Sequence, residues 1–293
     1  MTVGITDYHV LGPVQINSTV IGGITAAAVN NGHEIYGEPV SGEIGVRTQS
    51  ITALKPGASF TTMDLAVALA ACGSLGTDLS TANLHVFATK RTAAGAIASG
   101  AAHTKWLLRG GLLYPTRLTC DHRGQAQLSY EAQAVADADG NAPIVGPTTV
   151  SLPTGVNNNV WTLQSASFSG VGATDLRNAE VDFGFRVQTE GSNSELYDNQ
   201  ISYQLDPRLT IMGVTPAYAD AVALLGESAT CSITFRKRQN RGTFTADTLT
   251  LSATGLAHVS NPYQAGQRGA AQFAITVAVT FDGTNAPITV AAA

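Results

Sequence analysis

The densest group of potentially reactive side chains in this sequence is the tripeptide Cys120, Asp121 and His122. A cysteine two residues before a histidine can supply two ligands to a zinc ion, but a closed zinc site needs four. No second ligand pair is visible, and the six histidines are scattered without an HExxH motif. We therefore interpret the tripeptide as part of a loop that leads into a strand, and we predict no metal site and no cofactor.

A second candidate is the acidic segment that contains Glu190, Glu195 and Asp198. Paired carboxylates can serve in acid–base catalysis. The intervening sequence, EGSNSE, is however typical of a hairpin tip. We expect these acids to form a solvated rim. Because the sequence also lacks GxSxG, Walker and GxGxxG motifs, we predict that the protein is not an enzyme.

One basic cluster stands at the end of a predicted strand and consists of Arg236, Lys237, Arg238 and Arg241. Such a cluster can contact phosphate, or it can form salt bridges to nearby acids or to a neighbouring subunit. The net charge of the chain is −5, which argues against binding nucleic acid by neutralising phosphates. We therefore favour the salt bridges.

The composition of the 293 residues indicates a folded protein with an unusually uncharged surface. Hydrophobic residues make up 44% and charged residues only 13%, about half of the usual charged share. Few charges suggest that copies of the chain cover much of the surface. The three cysteines lie far apart and form no disulfide framework, so a reducing cytoplasm is the simplest environment. We predict no signal peptide and no membrane span.

The element that would position these residues is a long strand that occurs twice. Residues 123–144 read RGQAQLSYEAQAVADADGNAPI, and residues 268–288 read RGAAQFAITVAVTFDGTNAPI. Both alternate with period two and end in the same turn-forming residues, which predicts a strand of about ten or more residues. The chain is therefore expected to be one domain written twice, as 1–150 and 151–293.

Three further blocks recur in the same order, at a spacing of about 150 residues, as a duplication predicts. They are the long strands at 27–37 and 180–189, the helices at 62–73 and 215–226 with Thr as N-cap and Gly beyond the C-terminus, and the strands at 86–91 and 233–238. Each half also has an opening strand, a polar tip and a returning strand. These are predicted at 8–16, 38–43 and 46–54, and again at 160–168, 190–195 and 196–205, with a linker at 146–159. This order predicts a mainly antiparallel β domain with one short helix per half.

This arrangement of ribbon, capped helix and long final strand resembles the tail tube (major tail) proteins of long-tailed bacteriophages. The resemblance implies two tandem β-sandwich or half-barrel domains whose inner strands join a multi-subunit β-barrel. It also implies stacked rings, passage of genome DNA without specific binding, and a location in the virion tail after assembly in the bacterial host cytoplasm. Implied partners are further copies of the chain, a tape measure protein, a tail terminator and distal tail proteins, with no membrane.

Geometry favours three subunits per ring. If each half gives four inner strands, as the family implies, three chains give about 24 strands; at about 4.8 Å spacing and about 45° tilt the barrel is about 50 Å wide, with about 40 Å left open. Half as many strands would leave about 14 Å, too narrow for a DNA duplex. Because most members of the family have one domain in a hexameric ring, this two-domain chain is expected to form a pseudo-hexameric trimer.

The polar faces of the paired long strands are expected to line the channel, where a mildly acidic wall would let DNA slide. The acids expected there are Glu34, Glu38, Glu43, Asp182, Glu190, Glu195 and Asp198. Segment 92–118 is expected to contact other subunits or rings because it would otherwise expose large apolar groups. The residues expected in such contacts are Trp106, Leu107, Leu108, Tyr114, Arg236, Lys237 and Arg238. The alternative is a tandem β-sandwich surface or receptor-binding module of a virion.

Overall fold

Antiparallel β-sheets make up most of the protein, as predicted, in a computed structural model. The residues that it describes are 7–39, 46–137, 140–169, 171–173, 176–192, 195–214, 226, 228–238, 244–264, 272–281 and 285–293. The first half contains β1 (Tyr8–Ile16), β2 (Thr19–Ile21), β3 (Ile24–Asn30), β4 (His33–Pro39), β5 (Val46–Leu54), β6 (Gly57–Thr62), α1 (Leu65–Cys72), β7 (Thr77–Asp78), β8 (Leu84–Arg91), β9 (His103–Leu108), β10 (Leu112–Asp121), β11 (Gln127–Gln133) and β12 (Ile144–Val150). The second half contains β13 (Val160–Phe168), β14 (Val171–Ala173), β15 (Leu176–Asp182), β16 (Phe185–Glu190), β17 (Gln200–Leu205), β18 (Arg208–Val214), β19 (Ser228–Arg238), β20 (Phe244–Gln264), β21 (Gln272–Val279) and β22 (Thr289–Ala292).

The two halves pair their strands in the same order. The outer sheet of the first half runs β12-β9-β8-β1-β2, and that of the second runs β22-β20-β19-β13-β14. The remaining strands run β10-β11-β6-β3 and β20-β21-β18-β15. The long strand β20 thus corresponds to both β9 and β10. Its last part pairs with β21, as β10 pairs with β11. The duplication inferred from the sequence stays a prediction, but the shared pairing order agrees with it.

Irregularities in the ladders also fall at matching places. Register shifts follow Leu11 in β1 and Leu163 in β13, opposite β8 and β19 respectively. They also follow Pro115 in β10 and Val259 in β20, opposite β11 and β21. A bulge changes the direction of the side chains that follow it. Because the bulges lie at matching positions, matching residues of the two halves lie on the same face of their sheets.

A single sheet runs through both halves, because β10 pairs with β15. We call the eight strands in the order β3-β6-β11-β10-β15-β18-β21-β20 the shared sheet. One face packs on the core, where Phe60 of β6 stacks on Tyr130 of β11 with ring centroids 5.1 Å apart. The other face is polar, and the hydroxyls of Thr61 and Ser129 share a hydrogen bond across it at 2.9 Å. This alternation follows the period-two pattern of the sequence.

The predicted long strands 27–37 and 180–189 are each broken in two, which corrects the sequence prediction. The breaks lie at Gly32 and Gly184, which have φ values of +53° and +66°. A β-carbon there would lie 1.9 Å from the carbonyl oxygen of Lys55 and 2.1 Å from that of Asp206. Only glycine can adopt a positive φ without strain and also leave room for a carbonyl oxygen this close. Beyond each break the chain forms a separate two-stranded ribbon, the first ribbon from β4 and β5 and the second ribbon from β16 and β17.

Other boundaries also differ from the predictions. The final long strand has seven residues in β11 and eight in β21, fewer than predicted. The predicted linker 146–159 begins inside β12, which pairs with the edge of β9. The first helix begins at Leu65 with Asp64 as its N-cap; Thr62 instead donates its hydroxyl to the carbonyl of Gly22 at 2.7 Å. The second predicted helix lies, up to residue 225, outside the described residues.

Candidate assembly site

The two halves meet at the junction of β10 and β15. Five residue pairs are in register, from Arg117 opposite Asp182 to Asp121 opposite Asn178. The guanidinium of Arg117 lies 2.7 Å from a carboxylate oxygen of Glu180, and the side-chain amide of Asn178 donates to Asp121 at 2.6 Å. Backbone pairing thus gives the junction its geometry, and matched polar side chains lie on the polar face of the shared sheet.

The loop between β10 and β11 extends this junction onto the outer sheet of the second half. The amide of Ala126 donates to the carbonyl of Trp161 at 2.8 Å, and the hydroxyl of Thr162 donates to the carbonyl of Gly124 at 2.9 Å. Trp161 and Thr162 are both 3% exposed. The loop therefore covers the start of β13.

The tip of the second ribbon reaches back to the base of the first ribbon. The amide of Leu54 donates to the carbonyl of Leu196, and the amide of Ala136 donates to the backbone carbonyl of Asp198, both at 2.8 Å. The Asp198 side chain is 6% exposed, and its carboxylate lies 3.9 Å from the Lys55 ammonium. One strand ladder, one loop and one ribbon tip are therefore among the contacts that hold the halves together, and the Ser74 hydroxyl adds another by donating to the carbonyl of Ile288 at 2.8 Å.

In the described part of the chain, both ends of the shared sheet lack the partner that β10 and β15 give each other. β3 pairs with β6, and residues 258–264 of β20 pair with β21. Among the described residues no strand pairs with the opposite edge of either segment. These two segments correspond to β15 and β10 respectively, whose edges pair with each other inside the chain.

Matching residues of the two outer sheets also differ in their exposure to solvent. Leu163 of β13 is packed against the core, whereas its counterpart Leu11 of β1 is 43% exposed. Leu11 lines a groove beside β3, together with Trp106 and Ala28. Within the described part of the chain, no loop covers β1 as the β10–β11 loop covers β13.

The acids predicted to line a channel do not share one surface. Asp182 is exposed on the polar face of the shared sheet, beside the junction. Glu34 lies instead at the base of the first ribbon, 2.7 Å from the Lys55 ammonium. That contact raises the pKa of Lys55 above its ordinary value.

The other predicted acids belong to the ribbon tips. Glu190 and Glu195 are exposed there, but the prediction of a solvated Asp198 is wrong, because its carboxylate is buried and accepts the hydroxyl of Thr189. The side chain of Glu38 and all of Glu43 lie outside the described residues.

Of the apolar residues predicted to contact other subunits, two are buried within the chain and two are half-buried. Leu108 and Tyr114 are 0% and 7% exposed, so the expectation that they present an apolar surface is wrong. The reason is that β9 and β10 are paired strands inside sheets and not an unpaired segment. Trp106 and Leu107 are half-buried on β9, and their contact with another subunit stays a prediction.

Three members of the basic cluster lie at the end of β19 and are half-buried, and Arg241 lies outside the described residues. The Lys237 ammonium lies 3.2 Å from the Asp247 carboxylate, and the Arg236 guanidinium lies 3.4 Å from the centroid of the Phe244 ring. The Arg238 guanidinium lies 5.8 Å from the same centroid. A bridge to a nearby acid is therefore present, and a contact with another subunit stays a prediction.

The Cys120–His122 tripeptide does not form a ligand cluster. Cys120 and Asp121 end strand β10 and do not lie in a loop. Cys120 is buried, and burial raises the pKa of its thiol to about 11, whereas Asp121 is exposed on the opposite face. In the described residues no three His, Cys, Asp or Glu side chains come together to hold a metal ion, and the described helix is too short to span a membrane.

Sequence reasoning missed Lys55 and Arg117, which connect the halves. A signal for Lys55 was present in the repeat, because Lys55 and Asp206 precede the matched prolines Pro56 and Pro207. Opposite charges at equal positions indicate sites with different neighbours. The pairing of β10 with β15 left no comparable signal, since it joins segments that the repeat does not relate.

Neither a protein-family model nor a curated protein sequence matches this chain.

Proposed function

We propose that this protein is a structural subunit that closes with two further copies into a ring, and that stacked rings form a hollow tail tube through which genome DNA passes. The observation that carries the proposal is the β10–β15 junction. It joins two halves of equal pairing order, while among the described residues no strand pairs with the other edge of the corresponding segments, β3 and the last part of β20. A head-to-tail contact between copies through those edges repeats the internal junction and closes when the rotation returns to the start.

The internal junction predicts the register of the one between copies. Arg117 and Asn261 hold matching positions opposite β11 and β21, and Asn30 holds the position in β3 that Asp182 holds in β15. Since Arg117 faces Asp182, Asn261 of one copy is expected to face Asn30 of the next. Pro262 follows in the β20 bulge and has no N–H, so the ladder would use the residues around it.

The amides available on β3 follow from its ladder with β6. The amide of Lys55 donates to the carbonyl of Gly32 at 2.9 Å, which marks a hydrogen-bonded pair. In an antiparallel ladder such pairs alternate. The amides of Ala28 and Asn30 therefore face β6, and that of Ala27 faces the open edge.

The strand count supports three copies. Each half gives four strands to the shared sheet, so three chains give about 24, and a barrel about 50 Å wide. The polar face would then line the channel with hydroxyls and with charges that are partly paired, such as Arg117 with Glu180. Such a wall offers little to hold phosphates, which suits DNA in transit. Tape measure, terminator and distal tail proteins would be the further partners in the virion.

The experiment is electron microscopy of the purified protein together with a proline variant of the β3 edge. We expect rings or tubes of constant diameter for the wild type. Ala27→Pro removes an outward amide and leaves its acceptor unpaired, which should weaken each junction about 30-fold. Ala27→Gly is the matched control, because it also lowers strand propensity but keeps the N–H.

Circular dichroism should show the same folded signal for both variants, since the amide of Ala27 does not face β6. Rings in the glycine variant but not in the proline variant would support the proposal. Discrete monomers of the wild type at every concentration would overturn it and favour a virion surface or receptor-binding module.

A further inference from the structure

The shared sheet has two different ends. The ladders of β6 and β11 bring the end of β3 level with the start of β10, and β15 runs antiparallel to β10. Both ribbons therefore begin at the same end of the sheet, after Gly32 and Gly184, and we call it the ribbon end. The β10–β11 loop and the first residues of β15 lie at the opposite end, which we call the loop end.

The ribbon end carries two acids without a cationic partner. Glu190 and Glu195 are exposed at the tip of the second ribbon, where the side-chain amide of Asn199 donates to Glu195. In the described part of the chain neither carboxylate forms an ion pair, whereas the acids at the bases of the two ribbons are bridged by lysine or arginine. The negative charge of the tip is therefore available to another molecule.

The loop end carries two arginines in the same condition. Arg123 and Arg177 are exposed, and their backbones are adjacent across the junction, because the amide of His122 donates to the carbonyl of Arg177 at 2.6 Å. The acid beside them in the ladder, Asp121, accepts the side-chain amide of Asn178 at 2.6 Å. Among the described residues no carboxylate forms an ion pair with either guanidinium. The loop end therefore presents two positive charges close together along the junction.

We infer that Glu190 and Glu195 of one copy bind Arg123 and Arg177 of a copy in the next ring. The inference rests on the proposed ring, in which the edges of the shared sheet are already paired and its two ends face the neighbouring rings. Each chain has one such tip and one such junction, so every tip has a counterpart on the ring that it meets. Carboxylates and guanidiniums form charge-assisted hydrogen bonds, and an arginine can hold a carboxylate through two of them.

The same charges fix the direction in which rings stack. Two ribbon ends that met would bring Glu190 and Glu195 against the same residues, and two loop ends would bring arginines together, so like charges would repel in both cases. Only a ribbon end on a loop end is attractive. Such a head-to-tail contact between different surfaces does not close on itself and continues as an open filament. The result is a tube with two different ends.

Two charge-reversed proteins test the contact. The tip variant carries Glu190→Lys and Glu195→Lys, and the loop variant carries Arg123→Glu and Arg177→Glu. Each should form rings but no tubes at low salt, where exposed charges are least screened. An exposed ion pair contributes about twofold to an equilibrium constant, so with two pairs per chain in a ring of three chains, each variant should need at least about 50-fold more protein to form tubes.

A mixture of the two variants gives the sharpest readout. Rings of the tip variant have positive tips and positive loop ends, and rings of the loop variant have negative tips and negative loop ends. Each kind of ring therefore repels its own kind and attracts the other, so mixing preformed rings should restore tubes in which the two kinds alternate. Electron microscopy identifies rings and tubes, and sedimentation over a concentration series measures how much of each is present.

The control for added lysines carries Gln164→Lys and Ser165→Lys. Both residues are exposed in the middle of β13, which belongs to an outer sheet and not to an end of the shared sheet. This variant should form tubes as the wild type does. Circular dichroism checks that each variant folds, and Arg123→Gln with Arg177→Gln, which removes the charges without reversing them, replaces the loop variant if that does not.

Tubes in the mixture but in neither variant alone support the inference. If both variants form tubes at the wild-type concentration, or if their rings stay separate when mixed, the stacking contact is wrong and the ring stands. Wild-type rings that never stack would equally overturn the contact. If the wild type forms no rings, both the contact and the ring are wrong.

Discussion

A pair of engineered cysteines should link copies of this protein across the proposed β20–β3 junction. Asn30→Cys and Asn261→Cys place one thiol on each open edge, at the positions that match Asp182 and Arg117. Arg117 and Asp182 form a non-hydrogen-bonded pair, because the neighbouring Phe183 amide donates to the carbonyl of Thr116 at 3.0 Å. We therefore expect the same type of pair between copies.

The geometry of that pair suits a disulfide. The α-carbons of a directly opposed, non-hydrogen-bonded pair are about 4.5 Å apart, within the range of about 4.4–6.8 Å that disulfides span. A closed ring of three has three such links. Its mass on a denaturing gel without reductant is about 91 kDa, three times the 30.2 kDa of one chain. The native Cys72, Cys120 and Cys231 are at most 1% exposed, so they should not compete.

The assay is mild oxidation of the assembled protein followed by electrophoresis with and without reductant. The control carries Arg117→Cys and Asp182→Cys, which should link within one chain and stay at monomer mass. We expect dimers and trimers for the Asn30/Asn261 pair and no species beyond the closed trimer. An oxidised control beside an unlinked Asn30/Asn261 pair would refute the register, and a ladder without an upper limit would refute the closed ring.

Two further predictions concern stability, measured by thermal melting at concentrations too low for assembly. Gly184→Ala should destabilise the fold by at least about 2 kcal/mol more than Gly155→Ala. Both glycines have positive φ, but only at Gly184 would the new β-carbon meet backbone, the carbonyl oxygen of Asp206; equal losses would show that this contact relaxes freely. Burial raises the pKa of the Asp64 carboxyl above 3.8, so the folded state loses stability as pH rises from 3.8 through the raised pKa. Asp64→Asn should therefore melt higher than wild type at pH 7 and lose that advantage toward pH 3.8, and an advantage that persists in acid would contradict this cause.

Local patterns in the sequence were sufficient for much of the secondary structure. The opening strands were predicted at 8–16 and 160–168, and β1 and β13 have those bounds. Alternation and nearby turn residues define such strands within the segment itself. The sequence also predicts the first helix, although its N-cap is Asp64 and lies two residues after the predicted Thr62, whose hydroxyl bonds to the carbonyl of Gly22.

Non-local contacts account for what the sequence did not reveal. The period of β10 indicates a strand but not that β15 is its neighbour. The buried state of Leu108 likewise follows only from the place of β9 between β8 and β12. Asp198 looked like a rim residue because its neighbours in sequence are polar. It is buried because the tip crosses to Lys55 and Ala136, which lie far away along the chain.

The opposite charges of Lys55 and Asp206 also suggest what a doubled chain offers over a single domain in the proposed ring. Six domains meet at six junctions, and with two domains per chain half of these junctions form inside a chain at high effective concentration. The other half form between chains, and only these need to respond to protein concentration. In a ring of identical single domains, symmetry would give every junction the same residues. The positions of Lys55 and Asp206 would then carry the same residue. A ring of single domains could therefore not combine a stable internal junction with a second junction that forms only on assembly.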